Sequence, residues 1–342
     1  MKGLRCEAPG ELGFVLDLPE PAPPPPGWAL VAVSHVGICG TDYHIFEGKH
    51  PYLQYPRVMG HEASGTVVAV GEDVALAPGS PVVINPYLAC GHCVACRKGK
   101  PNCCATIQVL GVHRDGAMCE RILVPAGNLY PAGNLSLRDA ATVEFLAIGA
   151  HAVRRSQAPA GSRALVIGAG PIGIGAAIFS RIAGHEVTLL DASAERLAFA
   201  AAQLGFISTL QTGPGLDDGI AAATSGEGFD VVFDATGNAR SMQAAFAHVG
   251  QGGTLVLVSV VKDDITFADP EFHRREMMLI GSRNATRQDF EHVMASISAG
   301  HVPVDRLVTH TSSLSRAVAD LPHWAQAKTG LMKAVIELDA AL

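Results

Sequence analysis

A glycine-rich segment between an apolar run and a run of small residues most strongly constrains how this chain can fold. Residues 168–173 read Gly168-Ala-Gly170-Pro-Ile-Gly173, after an apolar stretch over 163–168 and before a small-residue stretch over 172–183. The first glycine permits a tight turn, the second lets the backbone approach a pyrophosphate, and the third lets a helix pack closely on a strand. The amino terminus of that helix presents unpaired N–H groups to an anion. The pattern predicts a strand, a phosphate-binding turn and a helix, with a tight turn in a non-binding α/β domain as the alternative.

Apolar runs and helical patterns alternate beyond residue 160. Strands are predicted over 163–168, 186–190, 229–234, 254–258 and 277–280, and helices over 172–183 and 194–204. Continuous Val, Ile and Leu runs in such an alternation are typical of a parallel sheet covered on both faces. The first 150 residues differ, because short strand-like runs between Gly and Pro turns are predicted over 29–33, 63–70, 81–84 and 121–124. A chain of 342 residues with these two textures is expected to form two domains.

Asp191 ends the second predicted strand of this series. A carboxylate at that place accepts hydrogen bonds from the adenosine ribose hydroxyls and repels a 2′-phosphate, which favours NAD over NADP. It can instead cap the next helix, because Ala192-Ser193 lead into one. Arg196, one helical turn further on, either covers the adenine or is a solvated surface charge.

Four cysteines follow the spacing C-x2-C-x2-C-x7-C, at Cys90, Cys93, Cys96 and Cys104. The two-residue gaps let consecutive thiolates turn inward on one loop, and the later fourth completes a tetrahedron around a soft divalent ion. All-thiolate tetrahedral sites suit zinc or iron–sulfur chemistry. Ordinary buried thiols or a disulfide cluster are the alternatives. Cys103 can replace Cys104 as fourth ligand, although the gap favours Cys104.

A second set of potential ligands is spread more sparsely along the chain. Its motifs are Cys39-Gly-Thr-Asp-Tyr-His44 and Gly60-His61-Glu62. A thiolate, an imidazole and a carboxylate from separate loops, with one position left open, form the usual arrangement of a catalytic zinc. Cys39 or His61 alone would more often be a core residue, but their combination favours a metal site.

Glu144 lies in an otherwise apolar stretch over 140–146. An ionised carboxylate among such neighbours needs a partner. A metal, its bound water or a substrate hydroxyl would serve.

Charge and chain texture exclude several classes of partner. The net charge of −7 and pI near 6.0 leave no electrostatic footprint for nucleic acid or an acidic membrane, so neither is expected as a partner. Charged and turn residues interrupt residues 1–18 before a signal-peptide core can form. The longest uncharged stretch, 164–180, is too short and too rich in glycine for a membrane span. Metal-spaced cysteines without a secretory signal predict a cytoplasmic protein.

Taken in order, these motifs resemble those of the zinc-dependent medium-chain dehydrogenase/reductase family over nearly the whole chain. Glu144 and the run 144–155 are similar to the polyol and sugar-acid dehydrogenase branch. The segments 109–116 and 281–286 are similar to hexonate 5-dehydrogenases, which oxidise L-gulonate, L-galactonate or related acids to keto acids.

The resemblance implies an α/β fold with two domains. A GroES-like β-rich catalytic domain would comprise 1–148 and 282–342, with a structural zinc lobe near 88–106. A Rossmann domain, a doubly wound parallel sheet that binds NAD, would comprise 149–281. The resemblance also implies a homodimer or homotetramer.

The resemblance assigns roles position by position, with two Zn²⁺ ions and one NAD per chain. The catalytic zinc would be held by Cys39, His61 and Glu62, with Glu144 as fourth ligand or as partner of the zinc-bound water. The structural zinc would be held by Cys90, Cys93, Cys96 and Cys104. The proton relay would be formed by Thr41 and His44. The NAD contacts would be Gly168, Gly170, Ile172, Gly173, Asp191, Arg196, Val258, Ser259 and Val260. The substrate contacts would be Glu144, Arg283 and Asn284.

The predicted reaction is the NAD-dependent oxidation of a secondary alcohol of a sugar acid to a keto acid. Arg283 suits a carboxylate, which it can bind bidentately, although a salt bridge is its alternative role. Sorbitol, sugar-alcohol-phosphate or threonine dehydrogenases are alternative enzymes, and a non-catalytic zinc- and nucleotide-binding regulator is an alternative class. The relay residues argue against a regulator. Two departures from the branch are Phe145 in place of a proline and Gly79-Ser-Pro-Val82 in place of Gly-Asp-Arg-Val.

Overall fold

The computed structural model of the chain describes residues 1–50, 53–326 and 330–338. Internal contacts divide the chain into two compact units. The first unit is Met1–Glu144 with Met294–Leu342, and the second is Phe145–Val293. The domain limits expected from the sequence, 1–148 with 282–342 and 149–281, stay a prediction.

The first unit is rich in β-strands up to residue 144. Its strands are β1 (Gly3–Ala8), β2 (Glu11–Val15), β3 (Trp28–Ile38), β4 (Arg57–Val58), β5 (Glu62–Val70), β6 (Pro81–Ile84), β7 (Tyr87–Leu88), β8 (Gln108–Val109), β9 (Arg121–Pro125) and β10 (Leu129–Pro131). Its helices are short: α1 (Gly40–Phe46), α2 (Val94–Arg97) and α3 (Leu137–Ala140). Short 3₁₀ turns lie at Pro101–Cys103 and Ala126–Asn128 in this unit and at Phe246–His248 in the second.

The second unit alternates strands and helices. The helices are α4 (Val143–Ser156), α5 (Pro171–Ile182), α6 (Ala194–Leu204), α7 (Leu216–Thr224), α8 (Ala239–Ala245), α9 (Asp269–Arg274) and α10 (Arg287–Ser298). The strands are β11 (Arg163–Ile167), β12 (Glu186–Asp191), β13 (Thr209–Gln211), β14 (Phe229–Asp234), β15 (Val249–Leu257) and β16 (Met278–Gly281). The chain returns to the first unit at Met294, within α10. It continues there through α11 (Val304–Leu307), β17 (Val308–Ser313), α12 (Ala317–Gln326) and β18 (Lys333–Glu337).

A seven-stranded sheet organises the first unit, in the order β10-β6-β5-β3-β18-β17, with β9 also paired to β3. Alternate residues of β3 enter the core, as Ala29, Val31 and Val33 show. The register sets Gly37 of β3 opposite Glu62 of β5, and Ile38 opposite a residue of β18. Three distant chain segments therefore meet at one end of β3.

The second unit is built on a parallel sheet of order β13-β12-β11-β14-β15-β16. Leu165, Val232 and Leu255, one from each central strand, are fully buried. The strand order reverses between β11 and β14, and a crevice at such a reversal is where α/β sheets bind ligands. The predicted α/β class, a β-rich unit with a Rossmann-like parallel-sheet unit, is confirmed.

Two strands extend well beyond one of their predicted limits. The run predicted over 29–33 continues to Ile38, because β3 pairs with both β5 and β18 beyond the register shift at Ser34. The strand predicted over 254–258 begins at Val249, because Val249 pairs with Phe229 of β14. A register shift, with Gly252 at φ +70°, separates that pair from the ladder that resumes at Thr254. Among the described residues, none of the helices has the length and apolar character that crossing a membrane requires.

Candidate active site

Cys39, His61 and Glu62 come together at the end of β3. Their ligand atoms all lie within 4.8 Å of one another. Cys39 stands at the amino cap of α1, and Glu62 opens β5 opposite Gly37. A Cβ on Gly37 would overlap the Glu62 carboxylate, so only glycine leaves it room. Sheet register thus brings together three residues that the sequence motifs only suggested as partners.

This cluster fits a soft divalent cation. His61 Nδ1 and Glu62 Oε1 are buried, and neither has a hydrogen-bond partner in the described part of the chain. Burial by itself lowers the pKa of His61, but the Cys39 sulfur, Asp42 and Glu144 raise it well above its ordinary value. The anionic groups around the His61 imidazole therefore favour a bound cation at this place. Sulfur, nitrogen and oxygen donors together match a catalytic zinc site.

Asp42 belongs to this site although the sequence analysis gave it no role. Its side chain is fully buried, and its Oδ2 accepts the N–H of Cys39 at 2.9 Å. Its Oδ1 lies 4.0 Å from Nδ1 of His61. Burial raises the pKa of Asp42, while His61 opposes that shift. A carboxylate behind a ligating imidazole holds the ring in orientation. The position of Asp42 inside the motif that starts at Cys39 could have indicated this role from the sequence.

Lys333 is the second residue that the sequence analysis missed. It is 1% exposed, its Nζ donates to the carbonyl of Ile38 at 2.9 Å, and it forms an ion pair with Glu62. A buried lysine requires such a partner. A single charge in the apolar run 332–336 was a usable signal, because an isolated cation in a buried strand implies a nearby anion.

Glu144 lies in the first turn of α4 and is 4% exposed. The hydroxyl of Tyr87 donates to its Oε1. Burial raises the pKa of Glu144 to about 7, against a lowering by His61. Glu144 is not a member of the group of three whose ligand atoms lie within 4.8 Å. Its carboxyl therefore sits beside the cluster in a dry environment, where it can exchange a proton near neutral pH.

Thr41 and His44 follow Cys39 on α1. The Thr41 hydroxyl lies 3.7 Å from the Cys39 sulfur, and His44 is exposed. The Thr41 side chain is half-buried, and His44 follows it by about one helical turn.

The other cysteine cluster forms a lobe between β7 and β8, and the name cysteine lobe is used here for residues 89–107. Cys96 Sγ lies 3.5 Å from Cys93 Sγ and 4.0 Å from Cys90 Sγ, and the sulfur of Cys104 accepts the N–H of Cys90 at 3.3 Å. Zn–S bonds of about 2.3 Å place tetrahedral sulfurs about 3.8 Å apart, which these distances match. All eight cysteines are free. The exposed Cys103 lies outside the four-sulfur group that contains Cys104.

The four sulfurs of the lobe lie close together, and the pKa values of Cys90 and Cys96 are shifted in opposite directions. Backbone N–H groups of His92 and Cys93 lower the pKa of Cys90 to about 6. Burial and the sulfur of Cys93 raise the pKa of Cys96 to about 12. Thiolates this close repel one another, and a bound divalent cation removes the conflict. The lobe can therefore hold a zinc ion with four thiolates and no open position.

The glycine-rich segment opens α5 at the carboxyl end of β11. Gly168 has φ +97°, which disfavours other residues, and a Cβ on Gly173 would overlap the carbonyl oxygen of Gly168. Asp191 Oδ2 accepts the N–H of Ala169 at 2.6 Å. Its other oxygen accepts the N–H of Ser193 at 2.7 Å, and Ser193 itself caps α6. Asp191 is thereby tied to the glycine turn and is not the cap of α6.

The remaining predicted cofactor and substrate residues follow strand ends at the same edge of the second sheet. Arg196 lies with its guanidinium 3.9 Å from Asp191. Val258, Ser259 and Val260 follow β15, and Val260 is 91% exposed. Carboxyl ends of parallel strands share one edge, so the segments after β15 and β16 leave the sheet at the same edge as the glycine turn. The other members are Gly170 and the half-buried Ile172 at the start of α5, and Arg283 and Asn284 after β16.

Two family models match this chain. The "Alcohol dehydrogenase GroES-like domain" matches residues 25–134, and the "Zinc-binding dehydrogenase" domain matches residues 171–299. Together they cover most of both units. The chain belongs to the zinc-dependent medium-chain alcohol dehydrogenase family. It is therefore an oxidoreductase that acts on CH–OH groups.

Curated relatives place this family member among sugar-derivative dehydrogenases. It is 40% identical to L-galactonate-5-dehydrogenase of Escherichia coli over 312 aligned residues. The alignment covers 91% of each chain. It is 35% identical to D-altritol 5-dehydrogenase of Agrobacterium fabrum, over 85% of this chain and 87% of that one. The polyol and sugar-acid branch that the motifs predicted is confirmed.

A solved relative shares the whole dehydrogenase fold. It is an Escherichia coli CFT073 alcohol dehydrogenase, RspB, complexed with NADH. The TM-score is 0.91 at 29% identity, over 98% of this chain and 99% of that chain. The predicted cofactor classes, zinc and a nicotinamide dinucleotide, agree with the family model and with this likeness.

Proposed function

We propose that this dehydrogenase oxidises a secondary hydroxyl of a hexonate-type sugar acid to a ketone, with NAD as the oxidant. The observation that carries the proposal is the buried cluster of Cys39, His61 and Glu62, with Glu144 beside it. A regulator that only binds nucleotide needs no such cluster. The reaction converts an alcohol and NAD⁺ into a ketone, NADH and one proton.

The side chains around the cluster supply binding and proton transfer. Cys39, His61 and Glu62 would hold the zinc ion. Bound zinc supplies a Lewis acid that lowers the pKa of an alcohol, and bound NAD supplies the hydride acceptor. The Thr41 hydroxyl, 3.7 Å from the Cys39 sulfur, would accept the proton of the substrate hydroxyl while it gives up its own towards His44. The exposed His44 would then release a proton to water.

Glu144 has two possible roles, as a direct ligand or as a carboxyl that holds a water or the substrate hydroxyl. Its hydrogen bond to Tyr87 and its position outside the group of three support the second role.

Asp191 supports NAD over NADP as the cofactor. Its carboxylate is anchored to the glycine turn by the N–H of Ala169. A fixed negative charge at that place repels a 2′-phosphate and accepts a ribose hydroxyl. Arg196, 3.9 Å away, is available to the adenine.

A sugar acid is favoured over a neutral polyol by Arg283 and by the 40% identical L-galactonate-5-dehydrogenase. Arg283 is exposed after β16 and can bind a carboxylate in a bidentate manner. The altritol dehydrogenase keeps a neutral polyol as the second candidate.

The test is a substrate screen that follows NADH absorbance with the purified chain. L-gulonate, L-galactonate, sorbitol, galactitol and threonine are the substrates, each with NAD and with NADP. We expect the hexonates with NAD to give the highest kcat/KM. An Arg283→Gln variant, with the neutral polyols as its internal control, should lose about 10-fold or more on hexonates and little on polyols. Activity confined to threonine or polyols would overturn the sugar-acid proposal.

A further inference from the structure

Tyr87 contacts the site but has no role in the chemistry described so far. Its side chain is 8% exposed, and its hydroxyl donates to Oε1 of Glu144, which is 4% exposed. A buried tyrosine hydroxyl needs a partner, and here that partner is the carboxyl beside the metal cluster. The contact leaves the second carboxylate oxygen of Glu144 to meet other groups.

The backbone of Tyr87 is held on both sides. Its N–H donates to Oδ1 of Asn85 at 3.0 Å, and its carbonyl accepts from Nδ2 of Asn128 at 2.9 Å. Asn128 also donates to the carbonyl of Asn85 at 3.0 Å, and Asn85 donates to the hydroxyl of Tyr130 at 2.8 Å. Two buried or half-buried amide side chains thus serve to fix one short strand. Such a network restricts where the Tyr87 hydroxyl can point.

The same strand carries the cysteine lobe. Tyr87 pairs with Val109 and Leu88 with Gln108, so β7 and β8 close the loop that holds the four cysteines. Cys90 follows Tyr87 by three residues. A metal ion that cross-links the lobe therefore also restrains the ladder on which Tyr87 sits.

We propose that Tyr87 is a positioning residue that holds the Glu144 carboxyl in its working orientation, on a ladder braced by the cysteine lobe. The proposal rests on the proposed function, because it assigns Tyr87 to act through Glu144 and not on substrate directly. A hydrogen bond to a carboxylate is worth roughly 10- to 100-fold in a rate or equilibrium constant. Tyr87 contributes that factor only while Glu144 is present.

The test is a double-mutant cycle of Tyr87→Phe, Glu144→Gln and both together. Tyr87→Phe keeps the buried aromatic ring and removes only the hydroxyl. The matched control is Tyr55→Phe, because the half-buried Tyr55 donates its hydroxyl to the backbone carbonyl of Ile45, away from Glu144. Purely structural losses add in such a cycle, whereas residues that act through each other do not.

Two readouts are compared across the cycle. The first is kcat and KM with the best substrate of the screen, where we expect Tyr87→Phe to lower kcat roughly 10-fold and to leave KM within about 2-fold. The second is the rate at which a chromophoric chelator withdraws zinc, in the phase that a Cys39→Ser variant lacks. We expect both single variants to accelerate that phase, since each loses an oriented carboxylate near the cation. The double variant should match Glu144→Gln in both readouts, and Tyr55→Phe should match the unmodified protein.

Multiplicative effects in the double variant, or a Tyr87→Phe enzyme with unchanged kcat and zinc release, would overturn the positioning role. The zinc-release cycle needs no substrate. Failure of the proposed function would appear as an unmodified enzyme inactive on the whole panel, with non-additive zinc release still present. The two failures are therefore distinguishable.

Discussion

The two metal-ligand clusters of the first unit are built in opposite ways. The cysteine lobe draws four like ligands from 15 consecutive residues, Cys90 to Cys104, and three of them are only partly buried. The cluster of Cys39, His61 and Glu62 draws unlike ligands from two segments, with His61 and Glu62 buried. Local spacing suffices for the first, whereas the second exists only once the sheet is in register.

This difference matches what each cluster can do. Four thiolates fill a tetrahedron and leave no position for a substrate, so the lobe is suited to bracing structure. Three unlike ligands leave a position open, and the groups behind them, Asp42 and Lys333, hold them in a dry, charged environment. If the two clusters divide structure and catalysis in this manner, substitutions in one should affect mainly stability and substitutions in the other mainly the reaction.

The largest effect is expected from His61→Ala. Loss of one of three ligands should lower kcat/KM by about 10³-fold or more and remove one of two zinc ions per chain. Elemental analysis and initial rates measure both. His92→Ala, in the exposed part of the cysteine lobe, is the matched control and should keep both ions and full activity. An active His61→Ala enzyme would contradict a catalytic role for the cluster of Cys39, His61 and Glu62.

The next effect is expected from Lys333→Met, which removes the buried partner of Glu62. An unpaired buried carboxylate should lower the free energy of unfolding of the metal-free protein by about 3–5 kcal/mol. Because a bound cation can replace the ammonium charge, zinc should restore part of that loss. Urea unfolding with and without chelator measures both. Equal destabilisation in the two states would show that Lys333 is not exchanged for the metal as counter-charge.

A smaller effect separates the neighbours Cys104 and Cys103. Cys104→Ser should lose the lobe zinc and lower Tm by about 5–10 °C, while any remaining folded enzyme keeps most of its kcat. Cys103→Ser should change neither, since Cys103 is exposed and outside the four-sulfur group. Calorimetry and zinc content report the result. The reverse pattern would place Cys103 in the cluster.

The smallest effect is expected from Asp42→Asn. The amide keeps the size of the side chain but weakens its support of the imidazole, so affinity for the catalytic-site zinc should fall by about 10- to 100-fold. Competition with a chelator of known affinity measures it. The exposed Asp17→Asn is the control. Unchanged affinity would mean that Asp42 only caps α1.

The sequence allowed the cysteine lobe and the glycine turn to be predicted because both depend on neighbours in the chain. Cys90, Cys93 and Cys96 lie at a spacing that suits one ion, and Gly168 and Gly173 stand where one turn needs them. Asp42 and Lys333 also had usable signals, because one is a carboxylate inside a ligand motif and the other is a cation inside an apolar run. Their roles could not be assigned from the sequence, because those roles depend on the residues they contact in the fold.

Tyr87 carried no signal at all. Its partner Glu144 lies 57 positions away, and the contact exists only after β7 and the first turn of α4 are in place. The long form of β3 was missed for a related reason, because Ser34 and His35 break the apolar pattern, and the strand stays extended through its pairing with β5 and β18. Contacts between distant chain segments determine both the Tyr87–Glu144 pair and the length of β3. Neither residue propensity nor local spacing predicts such contacts.

Strand β18 has a consequence for the order in which the protein is made. Lys333 meets the carbonyl of Ile38 across 295 positions of sequence. On the ribosome, β3 and β5 emerge long before their partner strand, whereas the second unit is one contiguous stretch that can fold as it appears. The candidate metal site of Cys39, His61 and Glu62 therefore stays incomplete on a nascent chain until β18 has been translated.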